Sequence, residues 1–145
     1  MRMPSAALIV DANVLIAAVY GRRRAPIFAV QATTALMTTE RAVEEARRRV
    51  ELGLKRPDLL STLDELVGEM TVVPMASLEP ALDNCEIALR EAVQSRNGSV
   101  KDAHLLALAW AVSADIWSSD RDFAGTGVAS WSTINLVRAL AETQS

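Results

Sequence analysis

Carboxylates are the chemically active groups that this sequence supplies in quantity, and four of them stand where a metal site can be built. Asp11 directly follows the apolar run AALIV, Glu45 lies in ERAVEEARRR, Asp102 opens KDAHLLALAW, and Asp120 follows DIWSS. Carboxylates held close together repel one another unless a cation neutralises them. Mg²⁺ and Mn²⁺ are hard ions that prefer such oxygen ligands and retain water for chemistry. One ion can polarise a phosphate and lower the pKa of a bound water, and a second, about 4 Å away, can stabilise the leaving oxygen. The needs of phosphodiester hydrolysis thus match an all-acid site. Asn13, two residues after Asp11, either supports it through its amide or merely faces a neighbouring loop, and Asp122 can assist through a hydrogen bond.

The remaining inventory removes competing chemistries. His104 is the sole histidine, so neither a two-histidine ribonuclease mechanism nor a His-rich zinc site can form. Neither lysine, Lys55 or Lys101, follows a glycine-rich loop, which excludes a P-loop. Gly125-Thr126-Gly127 has no third glycine to complete a dinucleotide fingerprint. Cys85 is alone, so no internal disulfide is possible and a reducing compartment is expected. A net charge of −3 is unlike a basic nucleic-acid binder, yet setting aside four metal-holding carboxylates leaves +1. The arginines are clustered, with Arg22, Arg23 and Arg24 in one run and Arg47, Arg48 and Arg49 in another. These are either contacts for RNA or ordinary solvated surface.

The elements that must position these acids follow from the apolar pattern. At 145 residues, half of them hydrophobic, the chain suits one domain over residues 1–145 with its own core. MRMPSAALIV reads as a lead into a first strand rather than a signal peptide. No run approaches the roughly 20 apolar residues that span a bilayer, so a cytoplasmic protein without membrane contact is expected. Ala6–Val10, Ala35–Thr38, Thr71–Pro74, Asp115–Ser118 and Val128–Ser130 read as strands. Helices are expected from Asn13 to Tyr20, from Pro26 to Gln31, from Glu40 to Leu54, from Pro57 to Met70, from Glu79 to Gln94, from Lys101 to Ala114 and from a Ser132 cap to Leu140. Continuous apolar strands alternating with helices indicate an α/β fold. The expected architecture is a three-layer α/β/α sandwich around a mostly parallel sheet of four to five strands. Ligands in such folds sit beyond the carboxyl ends of the strands, which is where these acids fall.

Each acid also has a structural alternative. Asp11 can cap a helix at a strand end. Ser99-Val100-Lys101-Asp102 fits a capping box, while helical spacing sets Asp102 on the face of Leu105, Leu106 and Ala109, where a carboxylate needs a partner. Glu45 stands among Glu40, Glu44 and Glu51, and periodicity does not choose between them. Asp120 and Asp122 can be loop acids, and His104 reads as structural.

Together these residues resemble the PIN-domain family from Ala7 to about Leu140. An apolar strand, then Asp, then Asn two positions later is present as LIVDANVLI, with Asp11 and Asn13. A strand ending in Thr39 with a glutamate six positions on points to Glu45, with Glu44 as the fallback. An Asp opening an Ala/Leu-rich helix matches Asp102, and DIWSSDRDF matches the family's last loop, giving Asp120 with Ser118 in place of the usual Thr. The resemblance implies a PIN-like sandwich with a Mg²⁺- or Mn²⁺-dependent ribonuclease site. It also implies similarity to toxins of the VapC type, which cut RNA, form homodimers and are silenced by an antitoxin. Two alternatives remain at this point: a PIN-like module that binds RNA or protein without cutting, and a phosphatase of the haloacid dehalogenase type. The latter wants Asp where this chain has Asn13, and a dedicated lysine for which Lys101 is a poor substitute.

Overall fold

The run that ends in Asp11 becomes the central strand. In the computed structural model, which describes residues 3–20, 24–92, 102–119, 123 and 126–143, β1 is Ala7–Val10. Leu8, Ile9 and Val10 are fully buried, as a strand covered on both faces requires. Around it stand β2 (Ala35–Thr39), β3 (Thr71–Val73), β4 (Asp115–Trp117) and β5 (Ser130–Trp131), in the spatial order β3-β2-β1-β4-β5. Every pairing is parallel, with Ile9 opposite Met37 on one side and Val10 opposite Trp117 on the other. Among the described residues the sheet is therefore wholly parallel and five-stranded.

Parallel strands need crossovers, and helices supply them. After β1 come α1 (Ala12–Tyr20) and α2 (Arg24–Gln31), and after β2 come α3 (Glu40–Arg48) and α4 (Leu60–Gly68). After β3 come α5 (Glu79–Ala92) and α6 (Ala103–Val112), and α7 (Thr133–Thr143) follows β5. The chain travels β1-β2-β3 in one direction and returns to β4 on the far side of β1. Right-handed crossovers then put the helices of the two journeys on opposite faces. Accordingly α3 packs on α1, α4 and β2, while α6 packs on α5 and lies along β1, β2 and β4. This is the α/β/α sandwich that the strand pattern predicts.

Local differences from expectation have local causes. Helix α2 begins at Arg24, so Pro26 is its third residue, still within the turn whose amides need no helical acceptor. The expected helix to Leu54 changes at Arg49, where a π turn (Arg49–Gly53) begins and the Leu54 amide reaches back five residues to the Arg49 carbonyl at 2.8 Å. Lys55 then takes a left-handed conformation (φ 55°) that stops the helix. On α3 the buried stripe is Ala42, Ala46 and, on the π turn, Val50, with Val43 only half-buried. Pro57 opens a short 3₁₀ turn (Pro57–Leu59) ahead of α4. Strand β5 sits two residues later than expected, and Ser132 caps α7 by accepting from the Asn135 amide at 3.2 Å.

The core joins the sheet to both helical layers. Helix α6 is buried from Ala103 through Ala109, on all sides rather than on one stripe, because it lies between the sheet and α5. Trp117 is fully buried with its indole N–H donating to Thr133 Oγ1 at 2.9 Å, so its polar edge is satisfied. Cys85 is fully buried on α5, and burial pushes its thiol up to about 11. The thiolate is the reactive form, so native protein at pH 8 should resist a thiol-specific disulfide reagent and become fully labelled on unfolding in urea. Rapid labelling without denaturant would show that α5 opens away from the core.

Candidate active site

At the carboxyl edge of the sheet, three neighbouring strands end in polar residues at the same level. Extending the parallel registers past their last pairs sets Asp11 opposite Thr39 on one side and Ser118 on the other. All three are buried, Asp11 to 4% exposure, Thr39 to 0% and Ser118 to 2%. The ladder continues into this level, since the Asp11 amide donates to the Trp117 carbonyl at 3.0 Å. On the other side Thr38 Oγ1 donates to the Val10 carbonyl at 2.8 Å. The chain reverses its direction of travel at β1, so the crevice above β1 and β4 is the switch point where α/β sheets bind ligands.

The Asp11 carboxylate is held by several donors at once. Its Oδ1 accepts from the Ala12 amide at 2.6 Å, and its Oδ2 accepts from Ser118 Oγ at 2.7 Å and Asn13 Nδ2 at 3.3 Å. Asn13 Nδ2 also lies 3.2 Å from Ser118 Oγ, and Asn13 Oδ1 accepts from the Ser119 amide at 3.2 Å. A buried carboxylate without such donors would be costly. Asp11 therefore has a fixed orientation, with Asn13 and Ser118 as its supports, and Asn13 also pins the loop that follows β4.

Thr39 works in two directions. Its Oγ1 caps α3 by accepting from the Ala42 amide at 3.0 Å, and the same atom lies 2.6 Å from His104 Nδ1. His104 is 1% exposed and its Nε2 has no hydrogen-bond partner among the described residues. Burial first, and the nearby Arg41 charge second, lower its pKa to about 4. The ring is therefore neutral, in keeping with a structural histidine.

The other acids lie around this centre. Glu45 is on the exposed side of α3, lining a groove of about 370 Å³ with Arg41, Glu44 and Arg48. Glu44 pairs with Arg48 at 3.7 Å, whereas Glu45 makes no ion pair among the described residues. Asp102 is half-buried at the N-cap of α6, not in its first turn, and its carboxylate makes no capping bond. Ser99, the other half of the capping box that the local sequence fits, lies outside the described residues. Asp120, Asp122, Arg22 and Arg23 also lie outside them, and Arg24 is described only as the first residue of α2. Arg47 is drawn into an ion pair with Asp64, away from the groove, and Arg49 is exposed on the π turn.

No three of the His, Cys, Asp and Glu side chains among the described residues stand close enough together to form a metal-holding group. The structure joins Asp11 to Asn13 and Ser118, with Glu45 exposed on α3 and Asp102 half-buried at the start of α6. The available donors still suit a hard cation. Carboxylate and hydroxyl oxygens line the strand ends, Cys85 is deep in the core, and His104 has one nitrogen engaged by Thr39. Sequence reasoning did not single out Arg41 or the Thr39–His104 bond. The bond joins residues 65 positions apart, which no local pattern signals.

A parallel α/β/α sandwich with a buried acid at the switch point defines a class of domain that builds acidic sites at strand ends. The family model described as PIN domain matches residues 9–141, and the chain belongs to that family. Among solved structures it is similar to a chain of "VapBC2 from Rickettsia felis bound to a DNA fragment from their promoter", at a TM-score of 0.66 and 12% identity, covering 87% of this chain and 98% of that one. It is also similar to a chain of FitAcB from Neisseria gonorrhoeae (TM-score 0.65, 17% identity, 89% and 99% covered). A chain of a toxin-antitoxin complex from Klebsiella pneumoniae matches with a TM-score of 0.57 and 22% identity over 81% of this chain and 91% of that one. No curated protein matches. At these identities the likeness is one of fold. Membership of the PIN family removes the phosphatase alternative. Among the described residues no helix is long and apolar enough to cross a membrane.

The lowered pKa of His104 gives stability a defined pH dependence. The unfolded chain takes up a proton near the ordinary value of 6.5, while the folded chain resists until about 4. Stability from this group is therefore present above pH 6.5 and is lost as pH falls toward 4. Between pH 7 and pH 5 the loss should be about 2 kcal/mol. It should be read from urea midpoints, and His104→Phe should remove that part of the slope. An identical slope in the variant would mean that the ring titrates freely in the fold.

Proposed function

We propose that this PIN domain is a divalent-metal-dependent endoribonuclease, using Mg²⁺ or Mn²⁺ held by Asp11, Glu45, Asp102 and Asp120. The observation that carries this reading is the Asp11 carboxylate, buried at the carboxyl end of the central strand and aimed by Ser118 and Asn13. A carboxylate in that setting suits a cation ligand, and oxygen donors of this kind suit a hard ion. When bound, such an ion polarises a phosphate and activates water for attack on the phosphodiester. The chain's own residues orient and exclude. Asn13 and Ser118 fix Asp11, Thr39 starts α3 so that Glu45 faces the groove, and α6 presents Asp102 at its first cap. Asp122 is proposed to assist through hydrogen bonding.

Likeness to a chain of a toxin-antitoxin complex supports a toxin role with an antitoxin protein as partner, and the proposed assembly is a homodimer. The test combines binding, cleavage and growth. Millimolar Mn²⁺ should raise the wild-type Tm by mass action. Asp11→Asn, Asp102→Asn and Glu45→Gln should each lose that rise and lower RNA cleavage by about 100-fold or more, while Glu44→Gln keeps both. Expression of the wild type should arrest growth and expression of Asp11→Asn should not. Cleavage retained by Asp11→Asn would end the metal-nuclease reading, and activity lost with Glu44 instead of Glu45 would shift the ligand by one residue.

For the RNA backbone, Arg41 is the added candidate beside Arg22, Arg23, Arg24, Arg48 and Arg49. It lines the groove with Glu45, whereas Arg47 is committed to Asp64. Phosphate contacts give affinity that falls with salt and carries no base preference. Arg41→Gln should weaken binding of a short single-stranded RNA and reduce the slope of log affinity against log salt by about 0.7, the single-strand value for one contact. Arg47→Gln should leave that slope unchanged. Equal effects from both would place the RNA elsewhere.

A further inference from the structure

Two acids of the proposed site sit on helices in different layers of the sandwich. Glu45 is on α3, which packs on α1, α4 and β2, while Asp102 opens α6, which packs on α5, β1, β2 and β4. Both helices pack on β2, which ties the two layers to one sheet, and the Thr39–His104 bond links the helix starts themselves. Thr39 is the cap from which α3 starts, six residues before Glu45, and His104 is the second helical residue of α6, two after Asp102. Both are at most 1% exposed, and their contact at 2.6 Å joins the starts of the two helices at the carboxyl edge of the sheet.

The bond is maintained at a cost. His104 Nε2 is buried without a partner among the described residues, which carries a desolvation penalty that an apolar ring of the same shape would avoid. A buried unsatisfied group in an otherwise apolar segment asks for an explanation beyond packing. The residues around His104 from Ala103 to Ala109 are all apolar, so the histidine is the one polar interruption of that buried stretch.

We propose that Thr39 and His104 are a positioning pair that sets the spacing of Glu45 and Asp102 for metal binding, an inference that rests on the metal-site reading above. Neither residue is a metal ligand. The hydroxyl of Thr39 answers two nitrogens at once, the Ala42 amide that begins α3 and the His104 ring that fixes the first turn of α6. Breaking the bond frees each helix start to shift within its own layer. Supports of this kind behind metal ligands typically change affinity by about 10-fold to 100-fold when removed.

The test measures Mn²⁺ affinity directly, from the electron paramagnetic resonance signal of the free ion, on full-length protein. His104→Phe keeps the ring's shape and removes both nitrogens, so it should fold, as far-UV circular dichroism will check. Its Mn²⁺ affinity should fall about 10-fold, and Thr39→Val should do the same. Thr39→Ser and His104→Asn, which keep a hydrogen-bonding group in place, should stay within about threefold of wild type. The double variant Thr39→Val/His104→Phe should lose no more than either single one, since both remove the same bond. Wild-type affinity in folded His104→Phe overturns the positioning pair alone. A loss that Thr39→Ser and His104→Asn share also overturns it, because that pattern is general damage to packing. Absence of Mn²⁺ binding by the wild type itself overturns the metal site and this inference with it.

Discussion

A carboxylate buried at a strand end must be surrounded by donors, and that requirement at Asp11 organises the carboxyl edge of this protein. The donors come from the residue after it, from Asn13 on the first turn of α1, and from Ser118 at the end of β4. Ser118 can reach only if β4 lies beside β1 in the observed register, and that placement requires the chain to cross from β3 over the face that α5 and α6 cover. The sheet order, the return crossover and the orientation of one side chain are therefore linked. A register slip of one residue would turn Ser118 to the other face and leave the carboxylate short of a donor.

The same edge shows why strand ends serve as sites. Side chains at equivalent register in parallel strands share a face, so Thr39, Asp11 and Ser118 form a row by geometry rather than by loop conformation. Thr39 and Ser118 carry hydroxyls that both donate and accept, which lets each serve a backbone or side-chain partner on either hand. Thr39 uses this to cap α3 and hold His104, and Ser118 to bridge Asp11 and Asn13. The row is rigid because its backbone belongs to the sheet.

The fold was legible where hydrophobic pattern alone decides it. Continuous apolar runs such as AALIV announced parallel strands, and Ser132 announced the cap of α7, both as observed. Boundaries set by tertiary contact were not legible. The π turn after Arg48 involves no residue type that signals it, and the N-cap of α6 falls at Asp102 where the local pattern starts the helix at Lys101. At the candidate site, Asp11 and Asn13 could be named from their place just after the first strand, and Ser118 from the resemblance to the PIN family. The Thr39–His104 contact could not, since a lone histidine in an apolar helix looks the same whether it pairs or merely packs.

The flanking acids differ from Asp11 in a way that bears on how the proposed metal site would assemble. Asp11 is buried and its side chain is already ordered by hydrogen bonds from Ala12, Asn13 and Ser118, so it offers a fixed oxygen pair. Glu45 is exposed on α3 and keeps its rotamer freedom, which binding a cation would have to restrict. A site built from one rigid and one mobile carboxylate binds less tightly than a fully rigid one, yet it can admit and release an ion with its waters. The spacing between helices then matters more than the pose of any single acid, because a long side chain can compensate for direction but not for reach. That places the burden of affinity on whatever holds α3 and α6 at a set distance. In this structure one short hydrogen bond between buried residues spans the two layers there.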